Sequence, residues 1–188
     1  MDSGLSIELV QINKSLGNTV LFRNFSASFS SLIPTAITGK NGSGKSTLLQ
    51  MICGLRSPDK GQILFSPSSL SDTFSGFRHF SVSAPWHTPD FPLRVKEYIQ
   101  MIGKLRGFLH NMSIENIMEE GALRSFSDVP LRGLSGGQMQ RLKNSMAFFM
   151  NSTILLLDEP LNHLDEEGIT VFTRLCERYT SNRLVIVC

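Results

Sequence analysis

The chain has 188 residues, 41% of them hydrophobic and 18% charged, and a formal net charge of +2. At roughly 100–200 residues per domain, this length holds one domain, or one domain with a small insert. It excludes a tandem of two large enzymatic domains and a chain carrying its own membrane-spanning bundle, and the charge is too near zero to steer it onto nucleic acid unaided.

No apolar run approaches the roughly 18–20 residues that cross a bilayer. The opening Met1-Asp2-Ser3-Gly4 lacks the basic and then apolar stretch of a secretory leader. Cys53, Cys176 and Cys188 are widely spaced and contain no CxxC. A soluble protein of a reducing cytosolic compartment, without a disulfide framework, is therefore expected.

Ile7, Leu9 and Ile12 alternate loosely with polar neighbours, and Phe25, Ala27 and Phe29 do so more cleanly. Both patterns predict strands with one buried face. Leu16-Gly17-Asn18-Thr19 reads as a turn before Val20-Leu21-Phe22, so the first thirty residues are expected to form short antiparallel strands. Thr35-Ala36-Ile37-Thr38 predicts a short buried strand, followed by a glycine-rich turn and a helix. That helix carries Leu48, Ile52 and Leu55 on one face and ends at Gly54. Pro58-Asp59-Lys60-Gly61 predicts a turn, Gln62-Ile63-Leu64-Phe65 a strand, and Ser66 to Ser75 a surface loop.

Pro85, Pro89 and Pro92 break regular structure around Trp86 and His87. Beyond them Val95, Tyr98, Ile99, Ile102 and Leu105 trace one helical face, and a second helix is expected from about Ser113 to Glu120. We read this stretch as a helical insert. The last third predicts a helix from about Gln138 to Met150, a strand from Thr153 to Leu157, a helix from about Glu166 to Tyr179 and a strand from Leu184. Apolar strands alternating with helices imply a parallel sheet covered on both faces. Arg124, Arg132, Arg141 and Lys143 are expected on solvated helix faces.

Gly39-Lys40-Asn41-Gly42-Ser43-Gly44-Lys45-Ser46 satisfies G-x-x-x-x-G-K-[ST] between a predicted strand and a predicted helix. Glycines let the chain turn tightly, so that successive backbone N–H groups point inward at anionic oxygens. The following helix aims its positive end at the same place. Lys45 can reach the β- and γ-phosphates of a nucleotide, and the Ser46 hydroxyl can ligate Mg²⁺. At the far end of the chain Ile154-Leu155-Leu156-Leu157 is an apolar strand that ends in Asp158 and Glu159. Two carboxylates at the mouth of a buried strand are costly unless a cation or ligand meets them. Asp158 suits the metal, and Glu159 suits a general base acting on an attacking water. Ligands in open α/β sheets gather at the carboxyl ends of strands, where both motifs fall.

A third motif, Leu134-Ser135-Gly136-Gly137-Gln138 followed by Met139-Gln140-Arg141, has the spacing of a capping box between Ser135 and Gln138. Its two glycines leave backbone N–H groups open to an anion. With this motif the sequence closely resembles the ATP-binding cassette family of ATPases over nearly its whole length. The resemblance rests on Gly39–Ser46, Leu134–Gln138, Ile154–Glu159 and the Leu161-Asn162-His163-Leu164-Asp165 segment, which matches the family's D-loop. Gly54-Leu55 with Pro58 and Gly61 is also similar to the family's stretch after its first helix.

The resemblance implies a P-loop NTPase (RecA-like) α/β fold with an N-terminal antiparallel β-subdomain and a helical insert. It implies one ATP-binding domain over 1–188, with 1–84 and 146–188 as catalytic core and about 85–145 as the helical subdomain that carries the signature. It assigns Gly39, Lys40, Asn41, Gly42, Ser43, Gly44, Lys45, Ser46 and Thr47 to the nucleotide, Ser46 and Asp158 to Mg²⁺, and Lys45 and Glu159 to catalysis. It further implies a head-to-tail dimer, with itself or with another such subunit. There Ser135, Gly136, Gly137 and Gln138 close over the γ-phosphate held by the other subunit, and Asp165 helps couple the two sites. Separate transmembrane permease subunits would be the partners, with the chain at the cytoplasmic face of the cell membrane and no direct nucleic-acid contact.

Three positions depart from the family pattern. Asn13-Lys14-Ser15-Leu16-Gly17 offers no aromatic residue to stack on adenine, only the apolar Leu16. Val82-Ser83-Ala84-Pro85-Trp86-His87 has no glutamine where the family usually has one that touches Mg²⁺ and the membrane partner. Trp86 either takes part there or packs the insert onto the core; His87 either takes part or is a surface loop residue. The family also carries a γ-phosphate-contacting histidine just after the strand Leu184-Val185-Ile186-Val187; this sequence stops at Cys188, at the threshold of that position, through either truncation or a real loss. Impaired ATP hydrolysis is expected on that account, because a group positioned on the γ-phosphate stabilises the transition state.

The functional expectation is thus an Mg²⁺-dependent ATPase subunit powering a transporter. The alternatives are a soluble cassette ATPase acting on ribosomes, chromosomes or DNA repair, and a nucleotide-binding module with little hydrolysis. Other P-loop enzymes such as nucleotide kinases lack an LSGGQ-like segment.

Overall fold

The computed structural model describes residues 4–67 and 76–188, so most of the expected serine-rich loop lies outside the described residues. The chain opens with a hairpin of β1 (Ser6–Leu16) and β2 (Thr19–Ser30), joined through Gly17-Asn18 with Leu16 opposite Thr19. These strands have 11 and 12 residues, not the short lengths expected. Bulges explain the blurred pattern: a register shift between Leu9 and Ile12 absorbs one residue, so Ile7, Leu9 and Ile12 are all buried although their spacing changes. On the other side of β1 lies β4 (Lys60–Ser66), giving the antiparallel order β2-β1-β4. Lys60 and Gly61 open this strand, whereas the sequence put them in a turn. Gly61 has φ 90°, and a Cβ there would lie 2.5 Å from the carbonyl oxygens of Val10 and Gln11. Only glycine permits that approach.

The second sheet is parallel, in the order β3-β7-β6-β5, from β3 (Thr35–Ala36), β5 (Phe80–Ser83), β6 (Ile154–Leu157) and β7 (Leu184–Val187). Phe80–Ser83 was not expected to be a strand. The helices are α1 (Lys45–Ile52), α2 (Gly76–His79), α3 (Val95–Arg106), α4 (Ile114–Glu120), α5 (Gly136–Phe149) and α6 (Glu166–Tyr179). Successive residues of β6 face opposite sides of the sheet, as a strand requires. Ile154 and Leu156 join a core with β1 and α1, and Leu155 and Leu157 join a second core with α3, α4, α5 and α6. The sheet is therefore covered on both faces, the architecture that its apolar strands predict.

Two apolar residues fall outside the faces assigned from spacing. Leu55 lies beyond the end of α1 and is 57% exposed, and Leu105, although within α3, is 63% exposed. α5 runs unbroken from the signature through residue 145 into the sheet region, and its side chains contribute to the larger core. Its C-terminal end is held by Arg183, which is 4% exposed. That guanidinium donates to the carbonyls of Phe148 and Ala147 at 2.8 and 3.2 Å, and to the Ser81 and Ser152 hydroxyls. Burial pushes its pKa down to about 10, so it remains a cation at neutral pH facing the negative end of the helix.

Candidate functional site

The loop Gly39–Ser46 leads from β3 into α1. Gly42 and Gly44 have φ 80° and 100°, which the tight turn needs and other side chains resist. Gly44 is also the cap of α1, and a Cβ on it would press against the Phe22 ring at 3.0 Å. Helix α1 therefore starts at Lys45, and the amides of its first turn have no intrahelical acceptor. The Lys45 ammonium folds back to donate to the carbonyls of Gly39 and Lys40 at 2.9 and 3.2 Å.

These residues border an open cavity of about 210 Å³, lined by Asn41, Gly42, Gly44, Lys45, Ser46, Thr47, Leu16, Leu21 and Glu159. The glycine loop and the acid just after β6, more than a hundred residues apart in sequence, thus share one space. Gly39, Lys40 and Ser43 are exposed parts of the loop that do not line it. Leu16 lines the cavity, and so does Leu21, which the sequence did not single out. The signal for Leu21 was the hairpin itself, since it lies just after the turn that follows Leu16.

Glu159 is exposed and left-handed, with φ 49°. Its amide donates to the Cys188 carbonyl at 3.0 Å, and its Oε2 accepts from Asn162 Nδ2 at 2.6 Å. Asn162 therefore fixes the direction of the carboxylate, a role not assigned to it from sequence. Asp158 is 1% exposed. Its Oδ2 accepts from the Trp86 indole Nε1 at 2.9 Å, and its Oδ1 is buried without a hydrogen-bond partner. A buried carboxylate oxygen lacking a donor suits a cation, because desolvation without compensation is costly. Among the described residues no group of three or more His, Cys, Asp and Glu is arranged to hold a metal alone. Mg²⁺ needs none, since it is usually held by one or two carboxylates plus substrate phosphates. The unpartnered Oδ1 of Asp158 thus suits Mg²⁺, while Ser46 lines the cavity and Asp158 itself does not.

The signature residues stand apart from this cavity. Ser135 caps α5: its hydroxyl accepts from the Gln138 amide at 3.2 Å, while Gln138 Oε1 accepts from the Ser135 amide at 3.0 Å. The capping box expected from the spacing is present, and it occupies the Gln138 side chain. Gly136 and Gly137 lie against His163 of the segment after Glu159. Asp165 caps α6 by accepting from the Gly168 amide at 2.8 Å and pairs with Arg141 at 3.0 Å. That amide and the Arg141 charge hold its pKa below the ordinary carboxylate value. Asp165 does not line the cavity either.

Two basic residues expected on solvated faces are buried. Arg141, 9% exposed, bridges Asp165 and Glu167, the latter at 3.1 Å. Lys143, 8% exposed, donates to the Ala84 carbonyl at 3.1 Å. Arg124 and Arg132 do sit in solvent, each in a surface ion pair. Beside them α5 carries a buried polar network. Asn144 Nδ2 donates to the Pro160 carbonyl at 2.8 Å, Ser83 Oγ to Asn144 Oδ1 at 2.6 Å, and Gln140 Nε2 to Ser83, Asn144 and Pro160. It ties the signature helix to the residue after Glu159. His87 is exposed; surrounding protein and the Lys143 and Arg106 charges push its pKa down.

A family model described as ABC transporter matches residues 22–162 of the chain. The sulfate/thiosulfate import ATP-binding protein CysA of Anthoceros angustus is 31% identical over 178 residues, covering 93% of this chain and 47% of that protein. The Nod factor export ATP-binding protein I of Sinorhizobium fredii is 32% identical over 169 residues, covering 87% and 49%. The chain spans about half the length of these two relatives. A solved ATP-binding subunit of an ABC transporter shares the fold, with a TM-score of 0.83 at 19% identity over 96% of this chain and 78% of that one. Among the described residues, no helix is long and apolar enough to cross a membrane.

Proposed function

The chain belongs to the ABC transporter family of ATP-binding proteins, and from that premise we propose that it binds and hydrolyses ATP to power a transporter. The single observation that carries this reading is the shared cavity of Lys45, Ser46, Thr47 and Glu159. Phosphates are anionic, and the reading needs amides, an ammonium and a base around one space. In it, the loop amides cradle the phosphates, and the Lys45 ammonium leaves the Gly39 and Lys40 carbonyls for the β- and γ-phosphates. Glu159, oriented by Asn162, accepts a proton from the water that attacks the γ-phosphate. Asp158 and Ser46 would hold Mg²⁺, which when bound neutralises charge on the phosphate oxygens.

In this reading Ser135, Gly136, Gly137 and Gln138 act on the nucleotide of a second subunit in a head-to-tail dimer. That none of the four lines the cavity of its own chain supports a role in trans. Asp165, through Arg141 and the cap of α6, keeps the D-loop segment fixed beside the signature. The transporter role extends to separate permease subunits at the cytoplasmic face of a membrane; the cited relatives are named as import and export proteins.

Sedimentation velocity with the Glu159→Gln variant tests the reading. Mg-ATP is expected to convert it from a 20.9 kDa monomer to a dimer, and the added Lys45→Ala change is expected to abolish the shift. A species that stays monomeric at saturating Mg-ATP, or nucleotide binding indifferent to Lys45→Ala, would overturn it.

A further inference from the structure

Trp86 stands 72 residues from Asp158 in sequence, yet its indole Nε1 donates to Asp158 Oδ2 at 2.9 Å. The indole is held on several sides. Its segment is a tight turn in which the His87 amide donates to the Ala84 carbonyl at 3.2 Å, with Pro85 inside it. Ala84 is fully buried, and the same carbonyl accepts from Lys143 of α5, which pins the turn to the signature helix. The ring packs against the core shared by α1, β6 and β7, and meets His87 edge-on at 6.3 Å. A side chain so packed keeps one orientation, and so does the carboxylate it holds. Indole nitrogen donates and never accepts, so Trp86 cannot itself ligate a cation. It can only fix which carboxylate oxygen remains open, and here that is the buried, unpartnered Oδ1.

We propose that Trp86 is the positioning residue of the cation site: its indole N–H engages Asp158 Oδ2 and reserves Oδ1 for the divalent cation that accompanies the nucleotide. The proposal rests on the nucleotide reading above and adds the residue that orients the metal's carboxylate. Donors behind a metal ligand typically change metal affinity by about 10–100-fold when removed. The turn also joins the Asp158 carboxylate to α5 through Lys143, so the orientation of this ligand is tied to the signature helix.

Trp86 is the only tryptophan, so its indole N–H gives a single resonance in a proton–nitrogen correlation spectrum. With the full chain saturated by ADP in EDTA, that resonance is expected to move saturably as Mg²⁺ is added in excess. In Asp158→Asn the Mg²⁺-dependent movement is expected to vanish. Trp86→Phe keeps an apolar ring and loses the donor. It is expected to need about 10-fold more Mn²⁺ for half-saturation in the presence of ADP, read by paramagnetic resonance. Binding of a fluorescent ADP analogue in EDTA is expected to be the same in Trp86→Phe and wild type. An indole resonance unmoved at saturating Mg²⁺, or wild-type Mn²⁺ affinity in Trp86→Phe, overturns the proposal. The wild-type titration decides it even where the variant folds poorly. A wild-type chain that binds the ADP analogue neither with nor without Mg²⁺ overturns the nucleotide reading instead.

Discussion

The carbonyl oxygen of His163 lies 2.7 Å from the point where a Cβ would sit on Gly137. The signature and the segment after Glu159 therefore touch, backbone to backbone, within one chain. The adjacent Gly136 is roomier, because the nearest atom to its hypothetical Cβ is a His163 side-chain carbon at 3.6 Å. Gly137→Ala must push back a main chain already left-handed at His163, with φ 64°. A loss of about 1–3 kcal/mol is expected, seen as a lower midpoint in thermal melting, by analogy with overpacking. Gly136→Ala is expected to melt at the wild-type temperature or above it.

The network around Asn144 joins the signature helix to the residue following Glu159. Asn144 is 2% exposed and bonds to Pro160 and Ser83 at 2.8 and 2.6 Å. Asn144→Leu keeps the branched shape but leaves the Pro160 carbonyl and the Ser83 hydroxyl with weaker partners in a dry setting. The expected cost is about 2–3 kcal/mol in urea unfolding, with slower phosphate release as Glu159 loses its support. Ser83→Ala removes one hydroxyl and is expected to cost about 1 kcal/mol.

What was legible in the sequence was what is local. The glycine loop, the Ser135–Gln138 cap and the helix Glu166–Tyr179 are each specified by residues a few positions apart. β5 was missed because two of its four residues, Ser81 and Ser83, are polar yet fully buried. Their partners are Arg183, 102 residues away, and Asn144, 61 residues away. Arg141 and Lys143 were misplaced for the same reason: their acceptors come from the cap and first turn of α6 and from Ala84. The acidic strand end was legible in the sequence, and of its two acids Glu159 lines the cavity. The group that orients Asp158 is Trp86, which only the assembled sheet brings near.

The three thiols should be quiet in the folded protein. Burial pushes the Cys188 thiol up to about 12, aided by the Asp158 charge, and the Cys176 thiol up to about 11; it also raises Cys53. The reactive form is the thiolate, which a raised pKa depletes at neutral pH. Iodoacetamide at pH 8 is therefore expected to label the native chain slowly and the urea-unfolded chain rapidly. Native labelling should accelerate as the pH rises toward those values.

Leu16 and Leu21 give the cavity an aliphatic wall. Leu16 is 39% exposed at the end of β1, so a larger ring fits there without disturbing the core. An aromatic face stacks on a base with about 1–3 kcal/mol. Leu16→Tyr is expected to tighten ATP binding at least about 5-fold, with unchanged melting, in a fluorescent-nucleotide titration.

Steady-state phosphate release from Mg-ATP by the purified chain, compared with Lys45→Ala and Glu159→Gln, separates nucleotide binding from catalysis at the cavity. Wild type is expected to turn over ATP. Glu159→Gln is expected to lose about 100-fold or more in kcat while still binding nucleotide, as for a missing general base. Lys45→Ala is expected to lose binding and turnover together. No phosphate release by the wild type, or a Glu159→Gln variant as fast as wild type, would mean that Glu159 is not the base of an ATPase.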